Sequence, residues 1–432
     1  MKWLLERWKQ FWFEPSEPTN LSLCRLLFFG IFFKHYWGRD TSAWADVPDI
    51  FWMPIPLFKF FHLPVLSSDL LVILDSTWKA TLALSCLGFL TRPSTAISFI
   101  LGVYLLGLPH NFGKTHHSDT LVVLIMGVMA FSRCGDSWSV DRLIRLWRGQ
   151  NNAAEMRPML SGEYTWPVRL VWVLFILVFF GAGISKIRHS GLEWIFSDNM
   201  RYLLIRHHYT HEPLTSWGLF LAQYRWPCQL LAAATLVVEV GSPLALFNHR
   251  LRLLIIPSLF LMQIGIWTLM GVRFLEYLFC FLFWIPWDRL VRWLPMRMEG
   301  KRTYFILYDG SCGLCQTTIA IIRSLDLMHR VKCYDVFSDW SEIQRQFPKV
   351  NQNSCLDEMH VVTAEGQIAT GFDAYRSLTW VLPLGWLALP FLYMPGVPLI
   401  GRIVYAAMAS RHRRVSCPLP PSQVIDSSRH NH

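Results

Sequence analysis

Long apolar runs separated by short polar segments fill the first two thirds of this chain. A helix that spans a membrane needs about 20 mostly apolar residues, and about eight runs approach that length. These runs cover residues 21–38, 69–91, 94–110, 118–132, 165–185, 227–247, 252–270 and 273–287. The pattern predicts an α-helical polytopic membrane bundle of about eight transmembrane helices, which we call the membrane domain (residues 1–290).

The pattern changes near residue 300, where shorter runs begin. Short β-branched and aromatic runs are typical of strands, and apolar residues three or four apart are typical of helices. The predicted strands are 303–308, 331–336, 359–364 and 367–370, and the predicted helices are 313–328, 339–347 and 372–382. Their order predicts a small α/β thioredoxin-like fold, which we call the C-terminal domain (residues 302–415). Residues 416–432 have the composition of a disordered tail.

The stretch from Trp380 to Tyr405 is apolar and could be taken for a ninth span. It is also rich in proline, and proline at that density makes a straight helix unfavourable. We therefore predict that this stretch is part of the C-terminal domain, where it could dock the domain on the membrane.

Composition and charge fit a membrane protein better than a soluble enzyme. The chain is 53% hydrophobic and 16% charged, with a formal net charge of +10. That charge could suggest nucleic acid, but most Lys and Arg lie in short loops between apolar runs, as juxtamembrane charge does. With eight spans these loops share one side, so the positive-inside rule predicts that both termini and the C-terminal domain are cytoplasmic. We expect a bacterial-type inner membrane, the lipid bilayer as partner and no nucleic acid.

The sequence from Asp309 to Cys315 carries the clearest candidate chemistry. It follows a predicted strand and opens a predicted helix, so Cys312 lies at the helix N-terminus, where unpaired amides favour the thiolate. Cys315, one turn further on, can resolve a mixed disulfide, which predicts a redox disulfide Cys312–Cys315. We expect Asp309 to accept a proton or to position the buried thiol; a turn-forming Asp is the structural alternative.

A zinc site is the alternative for this Cys pair, because a two-residue spacing also suits metal ligands. No second Cys-x-x-Cys exists, and Cys333, Cys355 and Cys417 are scattered, so redox chemistry is favoured. The segment before the predicted hairpin departs from the thioredoxin pattern, since thioredoxins place a cis-proline there. This chain has no proline between Pro348 and Pro383, so we expect substrate docking to differ.

Polar residues near the ends of the predicted spans are functional candidates, because their burial is costly unless something uses them. Glu239 lies within an apolar run and should face a partner inside the bundle. His207-His208-x-x-His211 could form part of a metal site, since His residues four apart share a helix face. No acid or Cys completes it convincingly, and a polar outer loop is the favoured interpretation.

Two motifs of the membrane domain resemble the vitamin K-dependent gamma-carboxylases and their bacterial HTTM relatives. They are Thr115-His116-His117-Ser118-Asp119, followed later by Trp138-Ser139-Val140-Asp141, and Phe179 to Lys186 with Trp194 shortly after. The resemblance covers roughly residues 15–290.

The C-terminal domain separately resembles the DCC family of thiol-disulfide oxidoreductases. That family is named for Asp-x-x-Cys-x-x-Cys, which is Asp309, Cys312 and Cys315 in this chain. Its later Tyr and Arg pattern is echoed by Tyr405 and Arg411.

The carboxylase resemblance implies roles for the membrane residues. It makes Lys186 the base that deprotonates a vitamin K-type hydroquinone and His117 a proton-handling residue, with His116, Trp194 and Glu239 as expected cofactor-binding residues. A desolvated Lys can be neutral and basic near neutral pH, and a nearby His can relay a proton. The alternative is that Lys186 only extends to the membrane interface, as lysines at helix ends often do.

Together these features predict a membrane-embedded, quinol-dependent carboxylase- or epoxidase-like enzyme fused to a thiol-disulfide oxidoreductase. A bilayer core of about 30 Å would separate the two sites, so we hypothesise coupling through the quinone pool, with a cytosolic dithiol donor and a peptide or small-molecule substrate. The alternative is an oxidoreductase tethered by a non-catalytic bundle that acts as a transporter or peptide-maturation partner.

Overall fold

The computed structural model of the protein describes residues 2–113, 118–148, 160–211, 213–291, 303–326, 330–363, 366–382, 385 and 389–416. These residues form two compact units. The first contains residues 2–142 and 160–287, and the second contains residues 143–148 and those from 288 onward. The predicted tail beyond residue 416 lies outside the described residues.

The described part of the chain up to residue 291 is helical. Its α-helices are α1 Lys2–Phe13, α2 Pro18–Tyr36, α3 Pro56–Phe60, α4 Ser68–Leu87, α5 Thr91–Gly107, α6 Ser118–Phe131, α7 Val140–Trp147, α8 Trp166–Ser190, α9 Glu193–Phe196, α10 Asn199–His211, α11 Trp217–Ala222, α12 Arg225–Gly241, α13 Leu244–Phe247, α14 His249–Met270 and α15 Leu275–Cys280. Short 3-10 helices cover Ser42–Asp46, Asp49–Phe51, Leu108–Phe112, Gly162–Tyr164 and Phe281–Trp284.

Four helical segments among these residues are long and apolar enough to cross a membrane, rather than the eight we predicted from the sequence. They are Ser68–Leu87, Thr91–Phe112, Gly162–Ser190 and His249–Met270. The other runs fall short for separate reasons: α6 has 14 residues, or about 21 Å at 1.5 Å per residue, and α12 has 17 residues. In the last run, α15 gives way to a 3-10 helix after six residues.

Helix α2 contributes several aromatic side chains to the core of the first unit. Phe28, Phe29 and Phe32 are fully buried, and the Tyr36 ring packs at a tilt against that of Trp78 of α4, with centroids 5.1 Å apart. Buried aromatic side chains contribute large apolar areas and prefer such tilted and edge-on contacts. Part of the core therefore forms around a helix that is not among the four candidate spans.

Arg25 explains how α2 buries a charge. Its side chain is fully buried and donates to the carbonyls of Ser85 and Cys86 at the end of α4, and to those of Cys134 and Trp138. The last carbonyls of a helix have no partner within the helix, and a cation there is favourable. Arg25 thus connects α2 to the end of α4 and to the segment after α6, and the four carbonyl groups compensate its buried charge.

Asp141 gives the Trp138–Asp141 motif a structural role. Its carboxylate accepts hydrogen bonds from the backbone N–H groups of Leu90 and Thr91, at 2.8 and 2.7 Å, and from the Thr91 hydroxyl. These contacts satisfy donors at the start of α5 that the helix itself leaves unpaired. This part of the carboxylase resemblance therefore has a sufficient explanation in helix capping.

The second unit contains a four-stranded sheet in the order β2-β1-β3-β4. The strands are β1 Tyr304–Tyr308, β2 Val331–Asp335, β3 His360–Thr363 and β4 Ile368–Thr370, and the helices are α16 Gly313–Leu325, α17 Trp340–Gln346, α18 Gln352–Asp357, α19 Gly371–Thr379, α20 Leu389–Leu392 and α21 Val397–Ser416. β1 pairs with β2 in parallel, whereas β3 is antiparallel to both β1 and β4. The predicted order of strands and helices is confirmed for residues 303–382, apart from α18, which we did not predict. Helices α20 and α21 were not predicted either, because the prolines after Trp380 argue against a straight helix there.

The sheet has apolar residues on both faces. Ile306 and Val361 pack on one face with Ile319 and Ile322 of α16. On the other face Leu307 and its neighbours pack against a second cluster that includes Cys355. This two-sided burial fixes α16, and with it the Cys pair at its start, against the sheet.

The proline-rich stretch after Trp380 is part of this unit, as expected. Helix α21 packs against α19, and Pro398 lies in its first turn, where a helix does not need the missing N–H. The apolar part of α21 is only Val397–Ala407, which is too short to span a bilayer.

Candidate functional site

The Cys pair lies where the parallel strand β1 ends and α16 begins. Cys312 is the N-cap residue of α16, and its carbonyl accepts the helical hydrogen bond from Gln316 N–H at 2.9 Å. Its own N–H donates to the Asp309 carbonyl at 3.3 Å, which closes the turn. Both thiols are half-buried, and no disulfide joins them. The placement at a helix N-terminus is the one that the sequence predicts.

Asp335 holds this turn from the neighbouring strand. Its carboxylate accepts the Gly310 N–H at 3.1 Å, while Gln316 donates its side-chain N–H to the Gly310 carbonyl at 2.6 Å. A Cβ at Gly310 would collide with the Asp335 carboxylate, so the close approach requires glycine. Sequence reasoning missed Asp335; an acid ending the next parallel strand was the available signal.

Asp309 forms the turn that we considered as its structural alternative. One carboxylate oxygen accepts both the Ser311 N–H at 2.8 Å and the Ser311 hydroxyl at 2.6 Å. The Asp309 charge also acts on the buried thiol of Cys315. A turn-forming role and an electrostatic role thus coexist, and proton acceptance by Asp309 stays a prediction.

The surroundings of Cys315 keep its thiol protonated. Burial, followed by the neighbouring Cys312 and the charge of Asp309, raises the pKa of Cys315 to about 12, although a hydrogen bond with the Asp309 backbone opposes this. The thiolate is the reactive form of cysteine. Cys315 must therefore lose a proton at the moment it reacts, which suits a resolving residue rather than the first nucleophile.

Tyr375 of α19 is a member of this site that sequence reasoning missed. Its hydroxyl shares a hydrogen bond with the Thr318 side chain, and Thr318 lies one helical turn after Cys315. Burial raises the pKa of Tyr375 to about 12, and the charges of Tyr405 and the two cysteines add to that rise. The available signal was a hydroxyl-bearing residue on the amphipathic helix predicted for 372–382.

Tyr405 connects the site to the strand that enters the hairpin. Its ring lies 6.0 Å from that of Tyr375, and its hydroxyl accepts the Met359 N–H at 3.2 Å. Met359 stands just before β3, where the chain lacks the proline of thioredoxins. The Met359 N–H is therefore occupied by a side chain of the same domain. The side chain of Arg411, the other residue of the expected pattern, is outside the described parts.

A second polar cluster lies in the first unit and brings together three sequence-predicted residues. Lys186 of α8 donates to both carboxylate oxygens of Glu239 of α12, each at 2.5 Å, and its amine lies 5.2 Å from the Trp194 ring centroid. Gly183 permits this approach, because a Cβ there would lie 2.9 Å from a Val240 methyl carbon. We call Lys186 and Glu239 the Lys186–Glu239 pair.

The contacts of Lys186 and Trp194 can be compared with the roles predicted for them. Lys186 is engaged with a buried carboxylate rather than extending alone to an interface, and the Trp194 Nε1 is buried with no hydrogen-bond partner among the described residues. The contact shows what the Lys186 amine faces in this arrangement, and its role as a base stays a prediction. His116 and His117 lie outside the described residues.

Three His residues lie near the end of α10. The Nδ1 atoms of His207 and His211 are 3.1 Å apart, and the described residues contain no group of three His, Cys, Asp or Glu side chains placed to hold a metal ion. They lie on a helix rather than in the polar loop that we favoured.

The C-terminal unit thus combines a Cys-x-x-Cys pair with a turn at a helix N-terminus. Residues 306–418 match the family of DCC1-like thiol-disulfide oxidoreductases, so this unit contains a thiol-disulfide oxidoreductase-like domain. The comparisons give no support to an HTTM or carboxylase domain in the preceding residues.

A curated relative matches part of the chain. It is an uncharacterized chloroplastic protein of Arabidopsis thaliana, 27% identical over 105 residues that make up 23% of this chain and 48% of the relative. The match thus spans about half the length of that relative. No solved structure matches this chain.

Proposed function

We propose that this protein is a membrane-anchored thiol-disulfide oxidoreductase whose working dithiol is Cys312 and Cys315. The observation that carries the proposal is that Cys312 lies at the N-cap of α16. The thiol of Cys315, which stays protonated, lies one turn further along the same helix. The four long apolar helices of the first unit supply the anchor. The cytoplasmic orientation predicted from the basic loops would place the dithiol in a reducing compartment.

In the proposed reaction, the Cys312 thiolate attacks one sulfur of a substrate disulfide and releases the other sulfur as a thiolate. Cys315 then loses its proton and attacks Cys312, which releases the second substrate thiol and leaves a Cys312–Cys315 disulfide. The substrate gains two electrons and the domain loses two. A cytosolic dithiol donor returns them by the same exchange in reverse.

Asp309 is the proposed acceptor of the Cys315 proton. One of its carboxylate oxygens is engaged by Ser311, and its charge already acts on Cys315. In the proposed step, transfer of the proton neutralises a carboxylate whose charge disfavours the Cys315 thiolate. The same contact with Ser311 keeps the turn closed while this occurs.

The test is turnover of a model disulfide by the purified full chain in detergent, with dithiothreitol as the electron donor. We expect Cys312→Ser to remove turnover, and Cys355→Ala to retain it because Cys355 is buried away from the turn in a separate core cluster. Equal loss in both variants would indicate a folding defect, whereas unchanged turnover in Cys312→Ser would overturn the proposal.

A second activity is proposed for the membrane domain because the Lys186–Glu239 pair lies beside Trp194, whose indole N–H has no hydrogen-bond partner within the described parts of the chain. These residues and His116 would hold a vitamin K-type hydroquinone, with the indole N–H as a donor to one of its oxygens. The hydroquinone would supply the reducing power for an oxygen-dependent carboxylase- or epoxidase-like reaction. Glu239 would first take the ammonium proton, so that Lys186 could accept one from the quinol, with His117 relaying protons.

Quinol oxidation in native lipid tests this second activity. We expect it to vanish in Lys186→Ala and to persist in Cys312→Ser over a single turnover, because only the first residue is proposed to take the quinol proton. Equal rates in wild type and Lys186→Ala would give the pair a structural role only. The bundle would then be a tether, a transporter or a peptide-maturation partner.

A further inference from the structure

Helix α21 exposes an apolar stripe on the outside of the C-terminal unit. Leu399, Ile400, Ile403 and Val404 lie on one side of the helix, as their spacing requires, and Leu399 and Ile403 are 67% and 62% exposed. Together they form what we call the α21 stripe. Large apolar side chains grouped on one exposed face usually mark an interaction surface.

The opposite side of α21 is committed to its own domain. A Cβ at Gly401 would collide with the Phe372 ring, so helices α21 and α19 are in close contact there. Tyr405, on the same side, reaches the Met359 N–H and the Tyr375 ring. These contacts fix the orientation of α21. Because they use the opposite side of the helix, the α21 stripe faces away from the domain.

Exposed aromatic residues also lie in and around α20, which contacts α21. Trp380 donates its indole N–H to the Tyr393 hydroxyl at 2.7 Å, and both side chains are exposed, as is that of Phe391. The Arg376 guanidinium lies 4.2 Å from the Tyr393 ring centroid. Trp and Tyr with a neighbouring cation are characteristic of the boundary between lipid and water.

Length and charge decide how such a surface meets a bilayer. The apolar part, Val397–Ala407, is too short to span, while the same helix continues in sequence through Arg411, His412, Arg413 and Arg414. A helix with an apolar face and a basic end suits the interface of an anionic bilayer, with its axis in the membrane plane. The basic end complements the negative headgroups.

We propose that the α21 stripe and its aromatic neighbours form a docking surface for the lipid bilayer. The bilayer is the occupant because the same chain carries four helices long enough to span it, so the surface is always tethered close to lipid. Docking would then orient the Cys312–Cys315 turn relative to the membrane through the contact of Tyr405 with Tyr375. The proposal concerns an exposed surface and does not depend on whether the Cys pair turns over a given substrate.

The test uses the full chain in nanodiscs with and without anionic lipid, and a photo-reactive phenylalanine analogue in place of Ile403. We expect cross-links to lipid that increase with anionic lipid. The matched control places the analogue at Lys332, an exposed position of β2, where we expect no lipid cross-links.

A cross-link from position 403 to protein alone, either a second copy or this chain's own helices, would overturn the proposal. Equal lipid labelling at positions 403 and 332, or no labelling at either, would do the same. As a second measurement, Ile400→Glu/Ile403→Glu should increase amide exchange in 397–407 in anionic nanodiscs by at least several-fold. Turnover in detergent should stay unchanged in this variant, which separates loss of docking from loss of the redox site.

Discussion

The Cys312–Cys315 turn is held mainly by local hydrogen bonds, whereas the Lys186–Glu239 pair is held by a side-chain contact between two helices. The turn lies within one short segment, closed by backbone hydrogen bonds and by the Asp335 carboxylate of the next strand. The pair joins two helices through side chains 53 residues apart in sequence. The turn is therefore held by several contacts, whereas removal of either partner of the pair takes away the opposite charge that the described residues place against the other.

The largest effect is expected from breaking the pair on one side. Lys186→Met leaves Glu239 buried without its cation, which typically costs about 3–5 kcal/mol, while Lys186→Met/Glu239→Leu removes both charges and should recover most of that loss. Thermal unfolding in a fixed detergent measures both variants. Equal destabilisation of the single and double variants would contradict a direct energetic coupling.

The next largest effect is expected at Gly310, where an added methyl group meets the Asp335 carboxylate. Gly310→Ala should cost about 1–3 kcal/mol and lower turnover by about tenfold or more, because the turn must open to relieve the contact. Gly313→Ala is the matched control, since a Cβ there meets open space. Comparable losses of stability and turnover in the two variants would show that the effect of alanine does not come from contact with Asp335.

Tyr375→Phe should have a smaller effect, because it removes one hydroxyl and keeps the ring that contacts Tyr405. The lost hydrogen bond with Thr318 is worth about 1 kcal/mol. We expect the rate of the resolving step, measured by quenched-flow trapping of the mixed disulfide, to fall by less than tenfold. Tyr393→Phe, which alters an exposed hydroxyl away from the turn, should leave that rate unchanged.

The smallest effect on the fold is expected from Asp309→Asn, which keeps the oxygen that accepts from Ser311 but removes the charge. Because the Asp309 charge raises the pKa of Cys315, the variant should show a lower pKa than the wild-type value of about 12, yet one still above 9 because burial is the main cause. Alkylation of Cys315 against pH in a Cys312→Ser background, with and without the substitution, measures the difference. A pKa that rises in the variant would contradict the assigned sign.

The raised pKa of Cys315 also sets a pH dependence of stability. The unfolded thiol ionises near its ordinary value of 9.0, whereas the folded thiol does so only near 12. The stabilisation that comes from the protonated folded thiol is therefore complete below pH 9 and is lost as the pH rises towards 12.

The sequence predicted the C-terminal unit well because its signals are local. Strands β1 and β2, the helix that starts with Cys312 at its N-cap, and the hairpin all follow from short apolar runs and turn residues. Asp335 and Tyr375 were missed because each reaches the site from a different element, and no spacing in the chain links them to Cys315.

The number of spanning helices in the first unit was predicted less well, because hydropathy along the sequence does not report helix ends or contacts between helices. A run of apolar residues does not reveal where a helix ends early, as α15 does, or where a buried Arg25 is satisfied by carbonyls. Lys186 and Glu239 were each selected as candidates, but their pairing depends on Gly183 bringing α8 and α12 together.

The central claim, that Cys312 attacks and Cys315 resolves, is tested most directly by trapping the intermediate. Cys315→Ser in the full chain should accumulate a stable mixed disulfide between Cys312 and a model substrate, detected as one added mass that dithiothreitol removes. Cys312→Ser should accumulate none, since the thiol of Cys315 stays protonated at neutral pH. Adduct on Cys315 rather than on Cys312, or no adduct in either variant, would contradict the assignment.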